Sequence, residues 1–417
     1  MGVAMQFIFF VQLMYQMVAI GASILISQNL GASQSTEARK TAAGSILLVA
    51  GFGVVLSLGL GLGAPAIVGL YGLNSEVAGF TTTFLVLFGA GSLTTGLSIL
   101  FSTLLRVWGH TRSPMVVNIA ASAFNVGANA LVLFGWFGFP VLGIAGVAWA
   151  TGLAQGLAAL ALWGILRSRT ATRIGWTDLK EVKGPIFRSV LAVGIPTAGE
   201  NLSYNLAQIV NLRVISSLGT ESLTAYVYVL SWLRFVFTPS QALGFGAQTK
   251  VGWWVGSGHF DLAYRRVLKW CAAGAGISFG LMAAVFLFHK ELIEVYTRDP
   301  RILAIAGTLF LIGLVYEPGR NLNLVIIPAL KGSGDVRYPV TVGIIFMWIL
   351  GVGGSWLLGV GMGWGLVGVW LALASDEWTR GLLVFARWRS GRWRSKVLFS
   401  TGPIAFQSVT IEGQPEP

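Results

Sequence analysis

Leu104-Leu105-Arg106-Val107-Trp108-Gly109-His110-Thr111-Arg112-Ser113-Pro114 returns later in the chain as Ala329-Leu330-Lys331-Gly332-Ser333-Gly334-Asp335-Val336-Arg337-Tyr338-Pro339. Each copy leaves an apolar run, passes two basic residues and a glycine, and enters another apolar run at a proline. The closing pair, Pro114 and Pro339, sets the offset. Gly31-Ala32 with Ala38 recurs as Gly256-Ser257 with Ala263 at the same offset. Gly143-Ile144-Ala145-Gly146-Val147 recurs as Gly365-Leu366-Val367-Gly368-Val369 at an offset only slightly shorter. Three matches in one order and at nearly one spacing mark a duplicated bundle.

The runs around these loops have the length of membrane spans, about 20 apolar residues or more. Eleven are expected, at 5–27, 42–70, 80–105, 115–137, 141–166, 187–218, 222–250, 267–288, 302–330, 338–360 and 364–388. Composition agrees. The chain is 55% hydrophobic and 11% charged, whereas a soluble domain carries about 25% charged residues. Backbone groups in lipid must be satisfied within the segment, so the spans are helices. Alternating strands of a β-barrel do not occur. The expected fold is an all-α integral membrane protein of two pseudo-symmetric bundles, five spans plus six. The N-terminal lobe is 1–166, a linker 167–186, the C-terminal lobe 187–390 and a tail 391–417. Span 187–218 has no counterpart at the repeat offset, which falls before Met1. The reading is that a first helix is absent and that the frame extends upstream by about forty residues holding one span.

Basic residues fall in alternate connections. Arg39 and Lys40, Arg106 and Arg112, and Arg167 to Arg188 are on one side, as are Lys250 to Lys269, Lys331 with Arg337, and Arg387 to Lys396. The other side has Lys290, Arg298 and Arg301. The positive-inside rule places the first set, and the C-terminus, in the cytoplasm of a bacterial cell with the spans in its inner membrane. The net charge of +12 is thus a topology signal, with anionic lipid and not nucleic acid as the neighbour. Trp253, Trp254, Trp388 and Trp393 read as an interfacial belt, and the glycines from Gly51 to Gly63 as close helix packing.

Ionisable residues inside spans are costly and are functional candidates. Glu200 follows Pro196, whose missing N–H frees a carbonyl one turn back. Asn201, Tyr204, Asn205, Gln208 and Asn211 continue along that helix. These oxygens suit a hard cation and the carboxylate alone suits a proton; interhelical polar glue is the other reading. Glu317 and Arg320 share one helical face around Pro318, followed by Asn321. They are either a structural pair or one released by ion or substrate. Arg234, near the middle of its span, is read as lining a wet cavity. Asp376, Glu377 and Arg380 are read either as part of the polar interior of the last helix, with Glu377 and Arg380 paired on one face, or, in preference, as a structural cluster near the cytoplasmic end. Cys271 is the one cysteine, which excludes an internal disulfide. No Walker sequence, metal-ligand spacing or catalytic cluster is present.

Gln28-Asn29-Leu30-Gly31-Ala32 with Glu37-Ala38-Arg39, the loops from Arg106 and Lys331, and Gly194-Ile195-Pro196 leading to Glu200 resemble the multidrug and toxic compound extrusion (MATE) family. That resemblance implies a secondary active antiporter exporting cationic or amphipathic small molecules. Na⁺ or H⁺ entry drives export by alternating access of two lobes. It implies no cofactor and no catalytic residue, and the protein is expected to be a monomer. Glu200, Asn201, Tyr204, Asn205 and Gln208 form the expected ion or substrate site, with Glu317, Arg320, Asn321 and Arg234. The family's fifth-helix polar pair falls at Asn125 and Asn129, where an amide stands for the usual Asp, giving a candidate N-lobe cavity. The alternatives are a flippase of lipid-linked saccharides, whose anionic head groups intramembrane arginines would suit, an integral-membrane enzyme, or a non-transporting remnant.

Overall fold

The computed structural model describes residues 2–69, 71, 74–168 and 174–398. Arg169 and Arg173 of the central connection, and tail residues 399–417, lie outside the described residues. Among those described there are thirteen helices and no strand. The long ones are α1 (Gly2–Gly31), α2 (Ser35–Gly69), α3 (Ser75–Val107), α4 (Arg112–Phe134) and α5 (Gly143–Ser168). After the short α6 (Trp176–Lys180) come α7 (Gly184–Ser217), α8 (Thr220–Gly256) and α9 (Phe260–Leu287). The short α10 (His289–Glu294) precedes α11 (Pro300–Gly332), α12 (Arg337–Gly361) and α13 (Gly365–Arg389).

The eleven long helices coincide with the eleven expected spans. Eight of them are long and apolar enough to cross a membrane by composition alone. The other three are α7, α8 and α13. They carry Glu200, Arg234 and the Asp376-Glu377-Arg380 group, so ionisable residues within the spans concentrate on three helices of the second half.

The repeat reappears in the helix starts. Ser35 of α2, Ser75 of α3 and Arg112 of α4 stand to Phe260 of α9, Pro300 of α11 and Arg337 of α12 at the offset that separates Pro114 from Pro339. Gly143 of α5 and Gly365 of α13 keep the slightly shorter one. Even the caps correspond. Asn74 Oδ1 accepts from the Val77 N–H at 2.9 Å, and Asp299 Oδ1 from the Arg301 N–H at 2.9 Å. Both satisfy a helix-start donor.

The chain forms two compact units, Met1–Ile26 with Ser35–Ala198, and Ser27–Gln34 with Gly199–Pro417. The divide thus runs inside α1 and α7, whereas the sequence reading puts it in the 167–186 connection. Glycine contacts explain the difference. Gly21 faces the Val190 backbone and Gly194 the Met17 backbone so closely that a β-carbon on either would overlap a carbonyl. Small residues that let helix backbones meet seat the first half of α7 on α1. The connection itself is docked. Asp178 accepts from the Gly175 N–H at 2.8 Å at the start of α6 and lies 3.7 Å from Arg39, while Glu181 lies 3.0 Å from Lys40. The glycine-rich stretch of α2 does less packing than expected. Only Gly53 is closely approached, by Leu93, whereas β-carbons on Gly51, Gly59 and Gly61 would meet nothing within 4 Å.

In the second unit α11 is central and packs on α8, α9 and α13. One end of this unit gathers the repeated loops. Gln28 donates to the Gly332 carbonyl at 2.9 Å and accepts from the Leu398 N–H at 3.1 Å. Arg387 meets Asp335 at 2.7 Å and Arg394 meets Asp261 at 2.7 Å. Two expectations change here. Trp388 and Trp393 are not interfacial: both are fully buried and stacked, with centroids 4.2 Å apart. Residues 391–398 are accordingly folded against the unit rather than part of a solvated tail, because the stacked pair removes large apolar surface from water.

Candidate functional site

α11 and α13 come together at glycines. A β-carbon on Gly381 would lie 3.0 Å from the Gly319 carbonyl, and one on Gly319 would strike the Trp378 ring. This close approach lets Glu377 of α13 reach Arg320 of α11. The result is a continuous buried charge network. Arg320 Nη1 donates to Glu317 Oε1 at 3.0 Å, and Arg320 Nε lies 3.7 Å from Glu377 Oε1. Glu377 Oε2 lies 3.2 Å from Arg380 Nη2. Arg380 grips Asp376 in bidentate fashion, at 2.8 and 2.7 Å. Asn323 donates to Glu377 Oε2 at 2.7 Å. The Arg320 guanidinium is held over Phe237 and Tyr316, 4.7 and 4.8 Å from the ring centroids.

Three carboxylates face two guanidinium groups, so the network carries one surplus negative charge when all are ionised. Its Arg320, Asp376, Glu377 and Arg380 line a cavity of about 30 Å³ together with Tyr204, Gln208 and Asn211 of α7. That space matches one water-sized guest, far below the several hundred Å³ of a drug pocket. Asn211 is 3% exposed and its Oδ1 has no hydrogen-bond partner. A buried acceptor without a partner is costly, and this one belongs to a residue of the cavity wall. α12 makes room. Its Met347–Gly353 segment widens into a π-helix, and Met347 and Gly351 line the same space. Such local widenings recur at functional sites.

The structure divides the polar residues of α7 between two faces. Glu200, Tyr204, Gln208 and Asn211, at spacings of four, four and three, share one face. Gln208 donates to the Tyr204 hydroxyl at 2.7 Å. Glu200, one turn from Tyr204, faces α11 and α12 outside the cavity lining. Its Oε2 takes a 2.5 Å bond from Lys331 Nζ, and a β-carbon on Gly343 would lie 3.2 Å from its Oε1. The Lys331 pairing is not legible in the sequence, where Lys331 reads as a loop residue; the side chain is in fact buried. Asn201 and Asn205 are off this face, with Asn205 donating to the Asn201 carbonyl at 2.8 Å.

Asn321 is elsewhere. It donates to the Cys271 carbonyl at 2.9 Å and accepts from Ser240 at 2.9 Å, joining α8, α9 and α11. Arg234 is exposed and does not line the cavity. Asn125 and Asn129 form a ladder, Asn129 donating to Asn125 at 3.1 Å and Asn125 to Thr151 at 3.3 Å, which ties α4 to α5. Asp376, Glu377 and Arg380 lie in the middle of α13, as in the polar-interior reading of that helix, within the same network as Glu317 and Arg320. Each side chain's charge was readable, but the pairing across helices depends on the Gly319–Gly381 approach.

The comparisons with known proteins agree with this architecture. The MatE family model matches residues 1–131 and 196–357. An uncharacterised transporter of Bacillus subtilis, YisQ, is 34% identical over 395 residues, covering 95% of this chain and 87% of the relative. A probable multidrug resistance protein NorM of Thermotoga maritima is 24% identical over 399 residues, covering 96% and 86%. The crystal structure of MATE in the bent conformation superposes with a TM-score of 0.85 at 18% identity, covering 95% of this chain and 87% of that one. A multidrug resistance MATE transporter in an outward-facing conformation gives a TM-score of 0.85 at 17% identity, covering 94% and 88%. A duplicated helical membrane protein with a buried, acid-rich polar centre, matched by the family model over most of its length, this chain belongs to the MATE family of multidrug efflux transporters.

Proposed function

We propose that this protein exports cationic or amphipathic small molecules by alternating access of its two lobes, driven by Na⁺ or H⁺ entry. The supporting observation is the surplus carboxylate of the Glu317–Arg320–Glu377–Arg380–Asp376 network beside a cavity of one-water size. A space this small suits a coupling ion or proton-bearing water and excludes a drug-sized guest. Tyr204, Gln208 and the free Asn211 oxygen add neutral oxygens to the same cavity. Glu200, one turn along α7, is the second exchangeable carboxylate, with Lys331 as the cation that replaces the ion between cycles.

Efflux of a cationic dye from cells, and from proteoliposomes with imposed Na⁺ or H⁺ gradients, tests the reading. Glu200→Gln alone strands the buried Lys331 ammonium, so stability falls together with transport. The Glu200→Gln, Lys331→Gln double variant removes both charges. It is expected to retain the thermal stability of the parent while losing gradient-driven efflux. Parent-like efflux by the stable double variant would reduce Glu200 to a structural partner of Lys331.

The proposed orientation places 106–114, 174–183 and 331–337 in the cytoplasm and 289–301 outside. Single cysteines in a Cys271→Ser background should react with an impermeant thiol reagent in intact cells only at 289–301. Labelling within 174–183 from outside reverses the assignment.

A further inference from the structure

α8 and α9 carry a second cavity, a groove of about 530 Å³ that the charge network does not touch. Pro239, Leu243, Gly246 and Lys250 of α8 line it at a spacing of three to four residues, with Trp270 and Ile277 of α9 opposite. Gly246 in its wall leaves it unfilled. A β-carbon on Gly246 would meet no atom within 4 Å, nor would one on Gly276 or Gly280 of α9. Its volume is in the range of ligand pockets, and its lining is apolar except at one end.

That end is cationic and uncompensated. Lys250 Nζ lies 4.4 Å from the Trp253 ring centroid, and no carboxylate pairs with it among the described residues. Arg266, one turn from Trp270 on α9, and Lys269 are exposed and likewise lack a carboxylate partner among the described residues. The sequence holds one acid between Glu221 and Glu291, Asp261, and Arg394 occupies it at 2.7 Å. Trp254 and Trp270 stack at this same end, 5.4 Å between centroids. Amphipathic indoles of this kind collect at the head-group level of a membrane. A cationic guest is repelled by Lys250 and Arg266, while a neutral apolar guest leaves them without a counter-charge.

We propose that the α8–α9 groove is a binding site for an anionic diacyl phospholipid. One acyl chain runs along Leu243, Gly246 and Ile277, and the phosphate meets Lys250 and Arg266. Basic residues at the mouth of an apolar cleft between membrane helices suit this ligand class.

Purified protein is incubated in detergent with phosphatidylglycerol or phosphatidylcholine of matched acyl chains, and retained lipid is counted by native mass spectrometry. The parent is expected to retain phosphatidylglycerol with a preference of at least about fivefold, the scale of one basic contact. Lys250→Gln with Arg266→Gln should lose the preference but keep lipid of both kinds. Gly246→Leu, whose side chain enters open space and leaves the fold intact, should lose both. Phosphatidylglycerol with brominated acyl chains should also quench tryptophan fluorescence in the parent and less in Gly246→Leu. Equal retention of the two lipids by the parent overturns the proposal, as does a preference that survives both the charge-removing and the groove-filling variants.

Discussion

Arg320→Ala should lower the stability of the purified protein by about 3–5 kcal/mol, the usual cost of removing one partner from a buried ion pair. Arg320 serves two carboxylates, Glu317 and Glu377, which are 1% and 8% exposed. Without it the network holds three acids and one guanidinium, Arg380. The stack on Phe237 and Tyr316 is lost as well, so packing falls together with charge. Arg320→Lys should recover little, because a point ammonium neither lies flat between two rings nor reaches both acids. The informative control is Arg320→Ala with Glu317→Gln, which restores the parent's surplus of one negative charge and should regain much of the lost stability. Thermal unfolding of the purified proteins measures all three. A parent-like melting temperature for Arg320→Ala would mean that the network is wetter and looser than its distances imply.

Glu377→Gln should do the opposite, leaving the fold intact and abolishing coupling. Glu377 sits between the two arginines, 3.7 Å from Arg320 and 3.2 Å from Arg380. Neutralising it leaves two self-contained pairs, Glu317 with Arg320 and Asp376 with Arg380, each within 3.0 Å. The glutamine oxygen still accepts from Asn323. Because each guanidinium keeps a carboxylate, no uncompensated buried charge is created, which is what makes breaking a buried pair costly. The cavity, however, loses its surplus negative charge and with it the attraction for a cation. Gradient-driven efflux is expected to fall at least about tenfold, the effect of some 1.4 kcal/mol on a binding equilibrium. The melting temperature should stay at or above that of the parent. Wild-type efflux by this variant would show that the surplus charge does not drive the cycle and would move the search to Glu200. Read together, the two substitutions separate a charge needed for folding from one needed for transport.

Much of this protein is legible in one dimension because a bilayer imposes a one-dimensional constraint. Each segment that crosses it must bury its own backbone hydrogen bonds and present about 20 apolar residues. Span number follows from that rule, and the repeat offset and the asymmetry of basic loops are read against the spans it defines. The helix starts then confirm the repeat to the residue, from Ser35 with Phe260 to Arg112 with Arg337. The candidate site is legible only in pieces. Glu317 with Arg320 is a contact within one helix turn, so spacing alone finds it. Glu377 with Arg320 and Glu200 with Lys331 join helices distant in sequence. Those contacts depend on crossing points that single glycines permit, Gly319 against Gly381 above all. A pattern of apolar and polar residues records which face of a helix is buried but not which neighbour it meets. Sequence therefore determined the spans, their duplication and the inventory of buried charges. The tertiary structure alone decided how those charges combine into one network beside a cavity, because side chains pair across helices only where the backbones can approach.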